Sequence, residues 1–409
     1  MTEQTDPHPG DRLRDFRQRL GLTQEALAER AQLSVGVVKK LERGGQARIE
    51  TYHALARALR IRTSQLFEPA GPPQDLHADD HAIDLMPLRQ AVSPPLSVTG
   101  TLLREDGEPP NLPHLAGAAR ALSAAYARDD YGRVAAVLPE LVRSAHVAVL
   151  HFDDGPPGEE ALRIRADVSQ MAGRYLTQVR AYDLAHMALA DAVRDAARAG
   201  DRMRAALAVS AQGWTLLRQG RLDEAERITL AAAEAVEPRI SRAAPAELGI
   251  WGRLLRRASS AAARNNRPEE AGEYLTLART AATALRGKTS EHLYGWNHFN
   301  AMRVSLQAIE NHMVGGRPER ALALTARLPA NAASPSTNWR RHRLTVAQAH
   351  SRTRAGEESF RILSELKGEA PEWLKHQRLA GDIFREARGQ RKRPLTGEQR
   401  ALGDFLGVP

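Results

Sequence analysis

The hydrophobic positions of the N-terminal residues follow the period of short α-helices. Residues 20–45 predict two helices joined by a tight turn, the second beginning at Ser34. One apolar face continues across both helices, and its members are Leu22, Leu27, Ala28, Ala31, Leu33, Val38 and Leu41. Thr23 and Ser34 precede the two helices, where a hydroxyl oxygen can cap a helix N-terminus. Because two short helices cannot bury a core alone, we expect neighbouring segments to complete the domain.

The neighbouring segments supply the missing apolar positions at helical spacing. These positions are Leu13, Phe16, Leu20, Leu55, Leu59, Leu66 and Phe67. They predict a five-helix domain over residues 11–67, after a disordered stretch at 1–10. The domain holds 12 Lys and Arg against 6 Asp and Glu, a balance of +6, whereas residues 68–112 hold 2 against 8, a balance of −6. A basic domain beside an acidic, proline-rich linker is typical of a module that binds phosphates.

Residues 113–390 show a different pattern, in which long amphipathic helices come in pairs. Three segments share one turn pattern, in which a Gly or Asn is followed by Arg, then by the acidic first turn of a helix, and then by Ala. These segments lie at 218–225, 265–271 and 315–321. Weaker copies lie at 129–134 and near 355–358, and residues 181–185 are predicted to begin another second helix. The pattern predicts five or six hairpins stacked into an α-solenoid with a concave inner surface. The tail, 391–409, carries a capping box at Thr396 and Gln399 and either caps the array, the favoured alternative, or docks on a partner chain.

The N-terminal motif resembles the Xre/Cro/434-repressor helix-turn-helix family, through residues 22–28, 33–34, 41–44 and 64–67. In that family the second helix of the motif enters the major groove, and its N-terminal residues contact base edges. The resemblance implies these DNA-binding residues: Gln24, Ser34 and Arg43 toward phosphates, Val35, Gly36 and Lys40 toward bases, and Lys39 beside them. It also implies a structural ion pair between Arg17 and Glu42.

Two of the base-reading positions lack a side chain that forms hydrogen bonds. Val35 can pack on a thymine methyl group, whereas Gly36 has no side chain with which to read a base. Three interpretations stay open: modest specificity through Lys40 and DNA shape, weak binding that requires a dimer, or a protein-interaction domain that has lost DNA binding.

The helical array resembles a degenerate tetratricopeptide array, and the whole chain is similar to bacterial helix-turn-helix/tetratricopeptide regulators, including the quorum-sensing RRNPP-like proteins. That resemblance implies homodimerisation and binding of a peptide or small-molecule effector. We predict a helix over residues 292–313 with a stripe of amide side chains, which can donate to and accept from an extended peptide. The candidate ligand-binding residues are Trp296, Asn297, Asn300, Gln307, Asn311 and Asn338. The alternative interpretation is a solvated polar face, with the tryptophans packed in the hairpin core.

Composition argues against several other classes of protein. The 409 residues include no cysteine, which excludes disulfides, thiol catalysis and cysteine-ligated metals. The polar N-terminus and the lack of an apolar run near 20 residues, roughly the length of a membrane span, predict a cytoplasmic protein. The sequence shows no nucleotide-binding glycine loop, HExxH helix or GxSxG elbow, so we predict neither an enzyme nor a cofactor. Residues 77–81, HADDH, lie in the predicted linker without a second cluster, and we do not expect them to bind metal.

The sequence therefore predicts a dimeric, sequence-specific transcriptional regulator that binds double-stranded DNA at an inverted-repeat operator and senses an effector. The alternative is a protein-interaction scaffold that captures a regulatory protein, with DNA binding secondary. A large preference for an operator over random DNA separates the two hypotheses.

Overall fold

The computed structural model describes residues 8–67, 85–95, 97–98, 109–286, 299–329, 337–375 and 377–408. Every regular element in these ranges is a helix, so the predicted all-α class is confirmed. The chain divides into two compact units. The first comprises Met1–Ala124 and Gly132–Asn300, and the second comprises Ala125–Tyr131 and Ala301–Pro409.

The N-terminal domain has the five predicted elements. They are α1 (Pro9–Arg19), α2 (Gln24–Ala31), α3 (Val35–Glu42), α4 (Ile49–Leu59) and a 3-10 helix (Thr63–Leu66). Their shared core contains Leu13, Leu27, Val38, Leu41, Tyr52, Leu55, Leu59 and Leu66. Leu20 was predicted on this face but is 51% exposed, because it follows the last turn of α1. The Thr23 hydroxyl caps α2 by accepting from the Ala26 N–H at 3.0 Å, whereas Ser34 makes no such bond to α3.

One helix lies inside the range that was predicted as a linker. It is α5 (Met86–Val92), which packs against α9 (Tyr182–Arg198) and buries Leu88, Ala91 and Val92. Pro87 occupies the first turn of α5, where its missing N–H costs no helical hydrogen bond. A proline at that position is therefore compatible with a helix.

The described helices of the array before residue 300 come in pairs. They are α6 (Leu112–Ala127), α7 (Tyr131–His151), α8 (Gly155–Gln178), α9, α10 (Arg202–Arg218), α11 (Leu222–Ala235), α12 (Pro245–Arg264) and α13 (Pro268–Ala284). Within this series α8 packs on α9, α10 on α11 and α12 on α13. The first helices also pack side by side, α8 against α10 and α10 against α12. Hairpins stacked through their first helices form an α-solenoid, as predicted.

The second unit continues with shorter helices. They are α14 (Ala301–Val314), α15 (Pro318–Thr325), α16 (Thr337–Arg352), α17 (Gly356–Glu369), α18 (Pro371–Lys375), α19 (Arg378–Gly389) and α20 (Gly397–Phe405). The predicted capping box begins α20, since the Gln399 N–H donates to Thr396 Oγ1 at 3.2 Å and the Thr396 N–H donates to Gln399 Oε1 at 3.0 Å. Leu402 is buried in a core shared with α16, α17 and α19, so the tail helix packs on this unit.

The same three-residue turn joins both helices of six pairs in the described residues. These turns are 128–130, 179–181, 219–221, 265–267, 315–317 and 353–355. The middle residue of each has a positive φ: Asp129, Arg180, Gly220, Asn266, Gly316 and Arg354. In every case the N–H of the third residue donates to the carbonyl five positions earlier, at 2.8 to 3.1 Å, as in a Schellman motif. The three strong and two weaker predicted turn copies coincide with these turns, and α9 begins within residues 181–185, where a second helix was predicted.

One helix in the described ranges, α7, is long and apolar enough to cross a membrane by length and composition alone. Only 39% of its most apolar window is buried. Arg133, Glu140 and Arg143 interrupt the apolar residues of α7, so the helix contains no continuous apolar run of roughly 20 residues. The length and composition of α7 are weak evidence for a membrane, because the core helix of a soluble protein passes the same test.

Candidate DNA-binding site

The third helix, α3, and the residues that flank it present five of the predicted DNA-binding residues on one exposed face. Ser34, Gly36, Lys39, Lys40 and Arg43 are all exposed. Val35, the remaining candidate on this segment, is half-buried and packs against the edge of the domain core. The exposed face is therefore basic at its C-terminal end, and at its N-terminal end it has small side chains.

A buried ion pair holds α3 against the first two helices. Arg17 Nε donates to Glu42 Oε1 at 2.6 Å and Arg17 Nη2 donates to Glu42 Oε2 at 2.9 Å, which confirms the predicted pair. The Glu42 side chain is only 1% exposed. Gln24 Nε2 also donates to Glu42 Oε2, at 2.7 Å, and Arg14 Nη2 donates to the Glu42 carbonyl oxygen at 2.5 Å. This carboxylate thus links α1, α2 and α3.

The same contacts set the charge state of Glu42. Burial by itself raises its pKa, but hydrogen bonds from Arg17 and Gln24 outweigh burial and hold the pKa below its ordinary value. The Glu42 hydrogen bond in turn raises the pKa of Arg17. The pair therefore stays ionised at neutral pH. The bond to Glu42 also fixes Gln24, predicted to contact phosphate, at the first position of α2.

Lys39 and Lys40 differ in what holds their side chains. Lys39 Nζ lies 3.4 Å from Glu25 Oε1 on the surface. The pKa of Glu25 is lowered first by a hydrogen bond from its own backbone and then, against desolvation, by Lys39. The stem of Lys40 crosses Gly45 closely, because a Cβ at residue 45 would lie 2.6 Å from Lys40 Cγ. Glycine at residue 45 therefore leaves room for the stem and the carbonyl oxygen of Lys40, a requirement that sequence reasoning missed.

Two other glycines of the domain have opposite environments. A Cβ at Gly10 would lie 2.0 Å from the Leu41 carbonyl oxygen, so α1 and α3 can approach each other only with glycine at that position. At Gly36 an added Cβ would meet only Ser34 Oγ, at 3.9 Å, and its φ lies outside the left-handed range. Packing within the protein therefore does not require glycine at residue 36.

The structure places the six candidate ligand-binding residues in different settings. Trp296 and Asn297 lie outside the described residues. The helix predicted over 292–313 begins at Ala301, so Asn300 precedes it and is not on its polar stripe. Phe299 precedes the helix as well, and its ring packs onto Gly252 of α12, where an added Cβ would lie 2.3 Å from the ring.

The other three candidates belong to the second unit. Gln307 and Asn311 come together on α14, where Gln307 Nε2 donates to Asn311 Oδ1 at 3.0 Å and to Glu310 Oε2 at 3.2 Å. Gln307 is 2% exposed, so its amide is used within the helix and is not presented on an open face. Asn338 is exposed on α16.

The predicted lack of a metal site at residues 77–81 cannot be compared with the structure, because these residues lie outside the described ranges. Within the described ranges there is no group of three or more potential metal ligands.

Comparison with known proteins bears on the N-terminal domain. Residues 13–66 match the helix-turn-helix family model HTH_3. No curated protein and no solved structure matches the chain. The residues that match are those of the five-element domain, so α2 and α3 are a helix-turn-helix. This supports, in general terms, a DNA-binding transcriptional regulator that acts on double-stranded DNA.

Proposed function

We propose that the protein is a sequence-specific transcriptional regulator that inserts α3 into the major groove of an operator. The observation that carries the proposal is the exposure of Ser34, Gly36, Lys39, Lys40 and Arg43 on a single helix of a helix-turn-helix domain. This helix is held rigidly by the buried ion pair described above. A rigid helix with a basic exposed face loses little conformational entropy when it docks on DNA.

The two ends of α3 have complementary roles in this proposal. The Ser34 hydroxyl, which does not cap the helix, contacts a phosphate at the N-terminal end of α3, and Arg43 contacts another phosphate at the C-terminal end. Lys40 approaches a base edge, and Val35 packs on a thymine methyl group. Gly36 allows the helix backbone to come close to the bases, since a side chain there would stand between them. Specificity then rests on Val35, Lys40 and DNA shape more than on paired hydrogen bonds.

We further propose that the protein acts as a homodimer whose helical array senses an effector. In such a dimer the two recognition helices lie one turn of the DNA double helix apart, which is the spacing of the two half-sites in an inverted-repeat operator. The array would have two conformations that differ in curvature. A peptide or small molecule that binds one conformation more tightly than the other would change the fraction of dimers that can bind DNA. Support for these two points comes from the stacked hairpins and from the resemblance to helix-turn-helix/tetratricopeptide regulators. Asn338, exposed on α16, is the described candidate ligand residue most open to solvent.

The test is a genome-wide selection of DNA fragments by the purified full-length protein, starting with the region upstream of its own gene. A sharp inverted-repeat motif that resists moderate salt supports the dimeric regulator. Recovery of featureless fragments that are lost at moderate salt contradicts it, because purely electrostatic binding is sequence-independent.

Val35 and Gly36 favour a second candidate function, a protein-interaction scaffold, because neither forms a hydrogen bond to a base. In that case the array binds a regulatory protein and the N-terminal domain adds only weak attraction to DNA. The same selection decides between the candidates. An operator preferred about 1,000-fold or more over random DNA belongs to the regulator alone.

A further inference from the structure

The 3-10 helix of the DNA-binding domain packs against the array through a buried polar contact. Its first residue, Thr63, donates from Oγ1 to the Arg264 carbonyl oxygen at 2.7 Å. The Ser64 N–H donates to Asn265 Oδ1 at 3.0 Å. Thr63 and Asn265 are 0% exposed, so these bonds are shielded from water. The partners lie on the last residue of α12 and on the turn 265–267 that follows it.

Both asparagines of this turn contribute to the contact. Asn266 Nδ2 donates to the Ile61 carbonyl oxygen at 3.2 Å. Asn265 uses the other end of its amide to donate from Nδ2 to Asp223 Oδ1 at 2.8 Å. Arg62 Nη1 pairs with the same carboxylate oxygen at 3.3 Å. The amide of Asn265 therefore bridges the DNA-binding domain and the first turn of α11.

Inside the DNA-binding domain, His53 extends this contact toward α4. Its Nδ1 lies 3.0 Å from Thr63 Oγ1. The Thr63 hydroxyl has one hydrogen, which it donates to the Arg264 carbonyl oxygen, so it accepts from the His53 tautomer that carries its hydrogen on Nδ1. His53 is 7% exposed. A chain of buried hydrogen bonds thus runs from α4 through Thr63 to the end of α12.

The turn itself does not need asparagine at either position. The preceding hairpin makes the same Schellman turn with Gln219 and Gly220, and the turn 315–317 makes it with Gly315 and Gly316. Glycine is the residue that this left-handed position favours. The backbone conformation of the turn therefore does not depend on the side chains of Asn265 and Asn266. Both side chains instead form hydrogen bonds to the DNA-binding domain.

We propose that the turn 265–267 is the docking surface for the chain's own DNA-binding domain and sets the orientation of α3 relative to the hairpin of α12 and α13. A helix-turn-helix domain joined only by a linker samples many orientations, whereas a docked domain moves with the hairpin. The recognition helix stays exposed in the docked position. The inference rests on the proposed function only for its effect on DNA binding, since docking can be measured without DNA.

The experiment exploits the absence of cysteine from the chain. Glu29→Cys on α2 and Glu269→Cys on α13, both at exposed positions, take spin labels for a distance measurement by double electron–electron resonance. The docked protein should give one narrow distance distribution. The substitutions Asn265→Gly and Asn266→Gly keep the backbone turn, by analogy with Gly315 and Gly316, and should broaden that distribution.

A matched control makes the same change at another turn. Thr353→Gly with Arg354→Gly alters the equivalent positions of turn 353–355 and should leave the distribution narrow. A second variant, Thr63→Val, removes the buried hydroxyl from the other partner at nearly constant volume and should also broaden the distribution. If both the glycine pair and Thr63→Val leave a narrow, unshifted distance, the proposal is overturned.

DNA binding provides a separate readout. If undocking leaves about one orientation in ten competent, operator affinity of the glycine pair should fall about tenfold. A broadened distance with unchanged operator affinity would keep the docking surface but overturn its role in orienting α3. Absence of any operator for the unmodified protein would contradict the proposed function and leave the distance result intact.

Discussion

Gly36 offers a test in which fold stability and DNA binding should change in opposite directions. The perturbation is Gly36→Ala at the second position of α3. The added methyl group meets only Ser34 Oγ at 3.9 Å, so it introduces no clash. Alanine exceeds glycine in helix propensity by about 1 kcal/mol in a helix interior, and we expect somewhat less at the N-terminal turn. The domain should therefore be stabilised by about 0.5–1 kcal/mol.

The same methyl group should weaken operator binding. In the proposed complex the N-terminal turn of α3 lies against the base edges, and Gly36 is the residue with no side chain in between. A methyl group there separates the backbone from the bases or shifts the helix. A loss of about 1.4 kcal/mol, which is a tenfold increase in Kd, is a reasonable expectation for one misplaced group.

Hydrogen exchange at the core amide of Leu41 measures the stability of the domain, and fluorescence anisotropy with a labelled operator measures binding. Gly132→Ala is the matched control, because Gly132 is the second residue of α7 and has no atom within 4 Å of an added Cβ. It should leave DNA binding unchanged. A Gly36→Ala protein that is stabilised yet binds its operator as tightly as before would refute the close approach of α3 to DNA.

Three further predictions concern the charges around α3. Replacing both Lys40 and Arg43 by Ala should weaken operator binding, because it removes a base contact and a phosphate contact, and should reduce the slope of log K against log salt by about 0.9, the contribution of the single phosphate contact of Arg43; an equal loss of charge on α9 should not. Glu25→Gln should release Lys39 from its surface pair and raise affinity about two- to fivefold in anisotropy titrations; an unchanged value would place Lys39 away from the DNA. The lowered pKa of Glu42 means that the ionised pair stabilises the fold above pH 4.5, the ordinary value for glutamate, and that this contribution is lost as the pH falls through the lower folded-state pKa. The difference in unfolding free energy between the unmodified protein and Glu42→Gln should therefore shrink below pH 4.5, and a constant difference would contradict the argument.

Arg194→Ala with Arg198→Ala on α9 is the charge-matched control for the first of these predictions. Both side chains are exposed. Loss of two positive charges there changes the net charge of the chain equally. If it weakened DNA binding as much as the loss of Lys40 and Arg43, the effect would be due to overall charge and not to α3.

Local patterns were sufficient to predict the helix-turn-helix and the hairpin turns. The apolar residues that form the core face of α2 and α3 recur with helical periodicity. The three strong turn copies are recognisable because a glycine or asparagine directly precedes an arginine. The pair of Arg17 and Glu42 was available from the family resemblance. The contact between Ser64 and Asn265 was not, because it joins residues 201 positions apart and no periodicity relates them.

The predicted helix over 292–313 is wrong at Phe299 and Asn300, which precede α14. Its polar and apolar stripes are consistent with a continuous helix, whereas the Phe299 ring packs on Gly252 of α12, 47 positions earlier. Local periodicity does not reveal such a tertiary contact. Likewise, the hydrogen bond from Gln24 to Glu42 depends on how α2 packs against α3. The family resemblance implied a phosphate contact for Gln24 but did not reveal this bond inside the domain.

The six equivalent turns of the array have a consequence for how such proteins can diverge. Because the backbone of each turn is the same, the hairpin ends differ in the side chains that they carry at the first two turn positions. At turn 265–267 these side chains are Asn265 and Asn266, and both bond to the DNA-binding domain. In the proposed docking, substitutions at these positions would therefore alter the coupling of the DNA-binding domain to the solenoid without a change in the fold of either part.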